Sequence, residues 1–346
     1  MLKANFTPYQ LPFKTPVLTS RGEMKVKNGY FLSVTDGKNT GVGECSFIEG
    51  LSIDRLSDYE SVLGRVCYQL QVDEVVDKSL TAAFPSIRFG VETALLDLKK
   101  GGKKILFESD FAKGKKQIPI NGLVWMGTKE FMVEQMEQKL AAGFKCIKIK
   151  VGAIAFDDEV RLLRLLREKY SANVIEIRLD ANGAFTHQDV FQKLEILSGF
   201  AIHSIEQPVK KGQLELMMRV CKESPIPVAL DEELIGISGN VQEELLSFIQ
   251  PQYLILKPSL LGGIAACEAW IMKAETLNVK WWATSALESN IGLNAIAQWV
   301  VTTKNKMVQG LGTGELYLNN ISSPLYITNG HLAFDAQKGW DKKFKL

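Results

Sequence analysis

Three acidic residues and three lysines are spaced as chemistry at the ends of successive strands requires. Asp180 stands in LDANGA, Glu206 in IEQPV and Asp231 in LDEEL. They lie 26 and 25 residues apart, and each follows a short apolar run: VIEIRL, FAIHSI and PVAL. Lys148 and Lys150 in IKIKVG precede them, and Lys257 in LKPSLLGG follows. Carboxylates brought face to face repel one another unless a cation sits between them. Three hard-oxygen donors suit Mg²⁺. Lysines on both sides of a metal-held anion are suited to moving a proton beside it.

Two residues apart in a strand, Lys148 and Lys150 face the same way, and Ile147 and Ile149 face the other. A buried lysine is costly unless it is paired or used. A nearby dication disfavours an ammonium, which lets the neutral amine act as a base. Lys150 is nearer the end of its run and is the candidate base, with Lys148 its electrostatic partner. Lys257 ends YLIL, Pro258 stops that strand, and the amine reaches the same mouth from the opposite side. Asn182 can brace a ligand or touch the substrate; the turn in DANG is its plainer role. Ser285 and Glu288 in ATSALESNIG are candidates for hydrogen bonds to the substrate, and Ser289 for a helix N-cap. The pair Gly262-Gly263 opens a helix and can offer N–H groups to an anionic substrate.

These residues need elements to hold them. From Ile118 onward, strand runs at 118–124, 146–151, 174–180, 202–206, 227–231, 253–257, 280–284 and 307–311 alternate with helical segments such as 129–142, 157–170 and 262–277. The rhythm predicts an α/β fold, a TIM-like (β/α)7β barrel of about 200 residues. A doubly wound open sheet has the same local alternation. In a barrel the strand ends meet at one mouth, and LGTGE (311–315) ends the eighth run there, where anions often bind. Residues 1–115 read as an α+β capping domain, with strands 30–36 and 39–44 about Asp36-Gly37 and helices 56–70 and 86–100. Its loops at 19–22, with Ser20 and Arg21, and at 48–52 are expected to close over the substrate. The barrel is expected over 116–314. An Asn/Ser/Pro-rich tail, 315–346, is expected to pack on the cap.

Composition narrows the function. The chain has 346 residues, 46% hydrophobic and 23% charged, with a net charge of +2. That balance gives no case for a nucleic-acid or membrane partner. No run reaches the ~18 apolar residues of a membrane span, and MLKANFTPYQLPF lacks the core of a signal peptide. Five scattered cysteines form no CxxC, which disfavours zinc and fits free thiols in a reducing cytoplasm. The expected partner is a small-molecule carboxylate; a homo-oligomer stays open.

With these motifs placed, the chain resembles the enolase superfamily, in its muconate-lactonising-enzyme-like subgroup. The resemblance runs over nearly the whole length: Gly41-Val42-Gly43-Glu44, FIEGLS, PSIRFGVETALLDL, KIKVG, LDANGA, EQPV, DEE, KPSLLGG and SALESNIG. It implies a divalent metal, normally Mg²⁺ with Mn²⁺ as a substitute, held by Asp180, Glu206 and Asp231. It implies a lyase in which Lys150 removes the proton α to a carboxylate. An enediolate results, and Lys150 returns the proton to a departing hydroxyl in a syn elimination. Lys257, on the opposite side, would stabilise the anion electrostatically. The alternative in the same superfamily is a racemase or dipeptide epimerase with Lys150 and Lys257 as opposed bases. A metal-stabilised scaffold is a third reading, but it would have no use for buried lysines beside a metal. No D-x-D follows Ser285, which counts against an epimerase. Trp125 either lines the ring pocket or packs under the cap.

Overall fold

The N-terminal region folds as strands and then helices, with one strand more than its alternation predicts. In the computed structural model, which describes residues 1–19 and 22–341, β1 (Lys3–Thr19) pairs with β2 (Gly22–Thr35), and β2 with β3 (Thr40–Cys45). Ser20 and Arg21 lie outside the described residues. β1 escapes sequence reading because Pro8, Pro12 and Pro16 break its pattern. Proline cannot donate to a ladder and is confined to sheet edges, and β1 is the edge strand. Its register slips between Pro12 and Val17. The β2–β3 turn is built by Asp36, whose Oδ1 accepts from the N–H groups of Lys38 (2.8 Å) and Asn39 (2.6 Å).

Two helices, α1 (Tyr59–Val72) and α2 (Pro85–Lys99), lay Leu63, Val66, Leu70, Ile87 and Ala94 against Leu32 and Val34 of this sheet. α2 meets β3 at glycine distance. A Cβ on Gly43 would lie 1.9 Å from the Gly90 carbonyl oxygen, and one on Gly41 2.1 Å from that of Ala94. Backbone cannot yield as a side chain can. Gly43→Ala is therefore expected to destabilise the protein by about 1–3 kcal/mol, read as a thermal midpoint lowered by several degrees.

Strands and helices then alternate. β4 (Ile118–Pro119) and β5 (Gly122–Val124) lead to α3 (Lys129–Ala141), β6 (Cys146–Lys150), α4 (Phe156–Lys169), β7 (Glu176–Asp180), α5 (Val190–Ser198) and β8 (Ser204–Glu206). α6 (Leu214–Glu223), β9 (Val228–Leu230), α7 (Val241–Ile249), β10 (Tyr253–Leu256), α8 (Pro258–Leu261), α9 (Ile264–Thr276), β11 (Lys280–Ala283) and α10 (Asn290–Thr302) follow, and the hairpin β12 (Leu325–Thr328)–β13 (His331–Phe334) comes last. β5 to β11 form one parallel sheet in chain order. One face of each strand packs on the helices, as Ile147, Ile149, Ile177, Leu179 and Ile205 do, all buried. The other faces the barrel interior. Near the base, Arg178 is buried with its guanidinium 4.1 Å from the Trp282 ring centre, and donates to Glu176 (2.7 Å) and the Val308 carbonyl (2.8 Å).

The first and last strand runs depart from expectation. Run 307–311 forms no strand. It contributes two parallel bridges, Gln309 with Ile120 and Gly310 with Thr284, which join β11 to the start of the first run and close the barrel. Backbone bonds from Gln309 N to Pro119 O (2.9 Å) and from Gly310 N to Ala283 O (2.8 Å) hold the seam. The buried Gln309 side chain adds a bond from Ala283 N (2.8 Å). Run 118–124 divides in two. β5 joins the barrel, while β4 pairs with β13. The tail thus reaches both the cap side and the first barrel run. Tyr317 bridges Phe13 and Leu318 N donates to Pro12 O (2.9 Å) on the cap side, while the hairpin lies against β4.

Candidate active site

Register carries the site. Lys150 of β6 pairs with Asp180 of β7, and Asp180 with Glu206 of β8, each the last residue of its strand. Asp231 and Lys257 follow the last residues of β9 and β10. All five, with Lys148, are gathered at one end of the barrel. Lys148 Nζ donates to Asp180 Oδ2 (3.1 Å) and Glu206 Oε2 (2.8 Å). Lys150 Nζ donates to Asp180 Oδ2 (2.9 Å) and Asn182 Oδ1 (2.5 Å). Lys257 Nζ bonds to Asp231 Oδ2 and stands 3.7 Å from Glu206 Oε1. Lys150 and Lys257 therefore flank the carboxylate row from opposite ends.

The electrostatics follow from burial. Burial opposes the charge on Lys148, but Asp180 and Glu206 outweigh it and hold the ammonium above its ordinary range. Burial likewise opposes the charge on Lys257, and Asp231 with Glu206 more than compensates. Burial would raise the Asp180 carboxyl; Lys148 and Lys150 instead hold it well below its ordinary value. Glu206 goes the other way. Burial, helped by neighbouring Asp180, pushes it up to about 7. Its Oε1 is buried and has no hydrogen-bond partner, a costly state for a carboxylate.

These residues fit a hard divalent cation: three carboxylates, one with a buried oxygen still lacking a donor. Among the described residues no three such side chains close on one point as a finished cage would. Their oxygens are turned to ammonium groups instead, which neutralise the row in the way a cation would.

Around the charges lies a cleft lined by Lys148, Lys150, Asp180, Asn182, Glu232 and Lys257. Its apolar side is Met24, Ile48, Leu51, Leu123 and Trp125, with Thr284, Ser285, Leu287, Gly310, Gly312 and Thr313 opposite. Trp125 lines the cleft, its ring centre 5.9 Å from Lys150 Nζ. Asn182 has a left-handed φ of 44° and bridges Lys150 to Glu232 Oε1 (3.0 Å). Ser285 lines the wall, whereas Glu288 is fully buried behind it and does not reach the cleft. The Glu288 carboxylate accepts from the hydroxyls of Ser285 (2.5 Å) and Ser259 and from Ala286 N (2.8 Å). Ser289 caps α10, as its sequence suggests.

The glycine pair at 262–263 is a correction. The N–H groups of Gly262 (3.0 Å) and Gly263 (2.8 Å) donate to the Pro258 carbonyl, and those of Ile264 (2.5 Å) and Ala265 (2.9 Å), which follow, are taken by the Glu92 carboxylate of α2. Reading the chain alone also missed Asn121, Thr284 and Thr313, because small polar residues at strand ends resemble ordinary turns. It missed Lys27 as well. This lysine is buried in β2, which brings its ammonium down to about 8, and it holds Ser46 Oγ (2.9 Å) beside the turn that carries Ile48 and Leu51.

The turn after Lys150 is closed by Glu159 of α4, whose carboxylate accepts from Gly152 N (2.5 Å). Burial raises Glu159 from 4.5 to about 7. A carboxyl raised in the folded state contributes stability below its unfolded value and loses it as pH climbs through the folded one. Glu159→Gln is thus expected to flatten the fall in stability between pH 4.5 and 7, by on the order of 3 kcal/mol. Thermal melts across that window test it.

Comparison with known proteins agrees with this architecture. A family description, MenC, N-terminal domain, matches residues 1–98, and a second, Enolase C-terminal domain-like, matches residues 131–341. The chain is 44% identical to the o-succinylbenzoate synthase of Desulfotalea psychrophila, over 96% of this chain and 98% of that protein. The crystal structure of MenC from the same organism superposes with a TM-score of 0.87 at 40% identity, covering 96% of this chain and 99% of that one. A dipeptide epimerase from Cytophaga hutchinsonii, solved with Mg and a dipeptide, shares the fold at a TM-score of 0.83 and 22% identity, over 99% and 97% of the two chains. The chain belongs to the o-succinylbenzoate synthase family of the enolase superfamily.

Proposed function

We propose that this enzyme dehydrates 2-succinyl-6-hydroxy-2,4-cyclohexadiene-1-carboxylate to o-succinylbenzoate, a lyase step of menaquinone biosynthesis. One observation carries the reading. In a chain 44% identical to a named synthase, two lysines, Lys150 buried and Lys257 partly so, flank a row of three carboxylates at the strand ends. We assign Asp180, Glu206 and Asp231 to a divalent ion, Mg²⁺ with Mn²⁺ as a substitute; Glu206 Oε1, buried and accepting no hydrogen bond, supports this. Bound there, such an ion supplies charge stabilisation to a carboxylate whose α-proton is leaving.

Lys150 Nζ takes that proton and returns it to the departing hydroxyl on the same face, so one base serves both halves of a syn elimination. Lys257, from the other side, steadies the developing anion without moving a proton. Lys148 keeps Asp180 charged and holds both Asp180 and Glu206 in place. Asn182 and Ser285 hydrogen-bond the substrate, with Glu288 acting through Ser285. Ser20 and Arg21 are assigned to substrate binding. The chain divides into a cap at 1–115, a barrel at 116–314 and a tail at 315–346. Five free, buried cysteines support a reducing, cytoplasmic setting. Among the described residues no helix is long and apolar enough to cross a membrane.

The test is a spectrophotometric dehydration assay on the cyclohexadiene with Mg²⁺, with a chelated sample beside it. Rapid aromatisation that the chelator abolishes is expected. Silence there, with α-proton exchange into dipeptides or N-acylamino acids in D₂O, would replace the dehydratase reading with an epimerase or racemase.

A further inference from the structure

One buried carboxylate far from the charge row is tied to the wall of the cleft. Glu44 of β3, in the N-terminal region, is fully buried. It accepts from Tyr9 Oη (2.5 Å), Ser289 N (2.8 Å), Ser289 Oγ (2.5 Å) and Gly292 N (2.8 Å). Three of these donors belong to the first turn of α10, so a residue from the first strands caps a helix of the barrel. Gly292 leaves room for it: a Cβ there would lie 2.8 Å from the Glu288 side chain and 3.0 Å from Glu44 Oε2.

The segment so held is 285–289, immediately before α10, and part of it faces the cleft. Leu287 lines the cleft with a left-handed φ of 65°, a conformation that costs a leucine about 1–3 kcal/mol and persists only where neighbours enforce it. The neighbours are on hand. Tyr317 Oη of the tail donates to the Leu287 carbonyl (2.7 Å), and Leu287 N donates to Ser285 Oγ (3.2 Å). Ser285 Oγ also accepts from Thr313 Oγ1 (2.7 Å). Glu288 and Ser289, the next two residues, are locked by Ser259 and Glu44. The strained turn is thus pinned from the first strands by Glu44 and from the tail by Tyr317.

We infer that Glu44 and Tyr317 are positioning residues that hold the Leu287 wall in its substrate-gripping conformation, and so couple the N-terminal strands and the tail to substrate affinity. Neither residue lines the cleft. Their loss should weaken binding more than chemistry, because the Lys150–Asp180–Glu206 row rests on other strands. The kinetic arm of the test rests on the dehydratase reading; the exchange arm does not.

Three variants are compared with wild type: Tyr317→Phe, Glu44→Gln and Glu44→Ala. Hydrogen exchange of 286–292 is followed in the ligand-free proteins, with KM, kcat and the Kd of o-succinylbenzoate alongside. Tyr317→Phe removes one hydroxyl and leaves the helix cap intact. It should raise KM and Kd about fivefold, with kcat within about threefold of wild type. Glu44→Gln keeps one acceptor oxygen and should raise KM about tenfold, and Glu44→Ala further. Exchange at 286–292 should quicken in all three while β6 to β8 stay protected. If Glu44→Ala does not fold, the two milder variants decide. Unchanged exchange at 286–292, or a lowered thermal midpoint with unchanged KM, overturns the inference. A wild type inactive in dehydration would sink the functional reading alone, since exchange at the wall still judges this one.

Discussion

Lys150→Ala is expected to lower kcat for the dehydration by about 10³- to 10⁴-fold, the upper part of the roughly 10²- to 10⁴-fold that a positioned base contributes. The fold should survive. Lys150 stands at a strand end, and its partner Asp180 keeps Lys148 (3.1 Å) and Asn182 N (3.2 Å). Lys257→Ala should be milder, about 10²-fold, because the role proposed for that amine is to stabilise charge without moving a proton. The contrast tests the chemistry as well as the residues. An enzyme with two opposed bases needs both to interconvert stereoisomers, whereas a syn elimination needs one. Steady-state rates for both variants, with deuterium exchange into the recovered substrate, separate the cases. If Lys257→Ala loses as much as Lys150→Ala, the single-base reading falls.

Glu206→Gln should weaken Mg²⁺ binding by more than the 10- to 100-fold, roughly, that a supporting residue costs, because it removes a charged donor itself. Glu206 sits between Asp180 and the Asp231–Lys257 pair, and touches Lys148 at 2.8 Å. The substitution also strips the buried Lys148 ammonium of its nearer partner. Breaking such a pair costs about 3–5 kcal/mol, so the metal-free variant should melt below the metal-free wild type. Calorimetric titration with Mg²⁺ and parallel melts are the measurements. Wild-type metal affinity in the variant would remove Glu206 from the ligand set.

The site was more legible than the fold around it, for physical reasons. A side-chain period of two puts Lys148 and Lys150 on one face, and a barrel repeat near 25 residues brings Asp180, Glu206 and Asp231 to one mouth. Both are local regularities that a linear reading can detect. β1 was lost because its prolines are tolerated only at an edge, and edges are not visible along a chain. Run 307–311 looked like a strand because MVQGL is mostly apolar, yet it makes two bridges at a seam. The glycine pair at 262–263 misled for a third reason. The amides that follow it are claimed by Glu92, 172 residues away from Ile264, and no spacing rule encodes such a partner. Glu44 is the same case over 245 residues to Ser289. Long-range carboxylate caps are products of packing, and they join cap to barrel.

The seam has a consequence for the order in which a growing chain can fold. The pieces of the first unit, β1 to β3 with α1 and α2, all lie before residue 100. Ribosomes add about 5–20 residues per second, so this sheet can form many seconds before the barrel is complete. The start of the barrel's first run has no partner on one side until Gln309 has emerged, and β4 pairs with no strand until the hairpin at 325–334 arrives. During that interval β5 and β11 are open edges, the kind of surface that recruits another chain. A short seam of two bridges limits the exposure, since it closes as soon as a few residues are made and leaves no long apolar strand waiting.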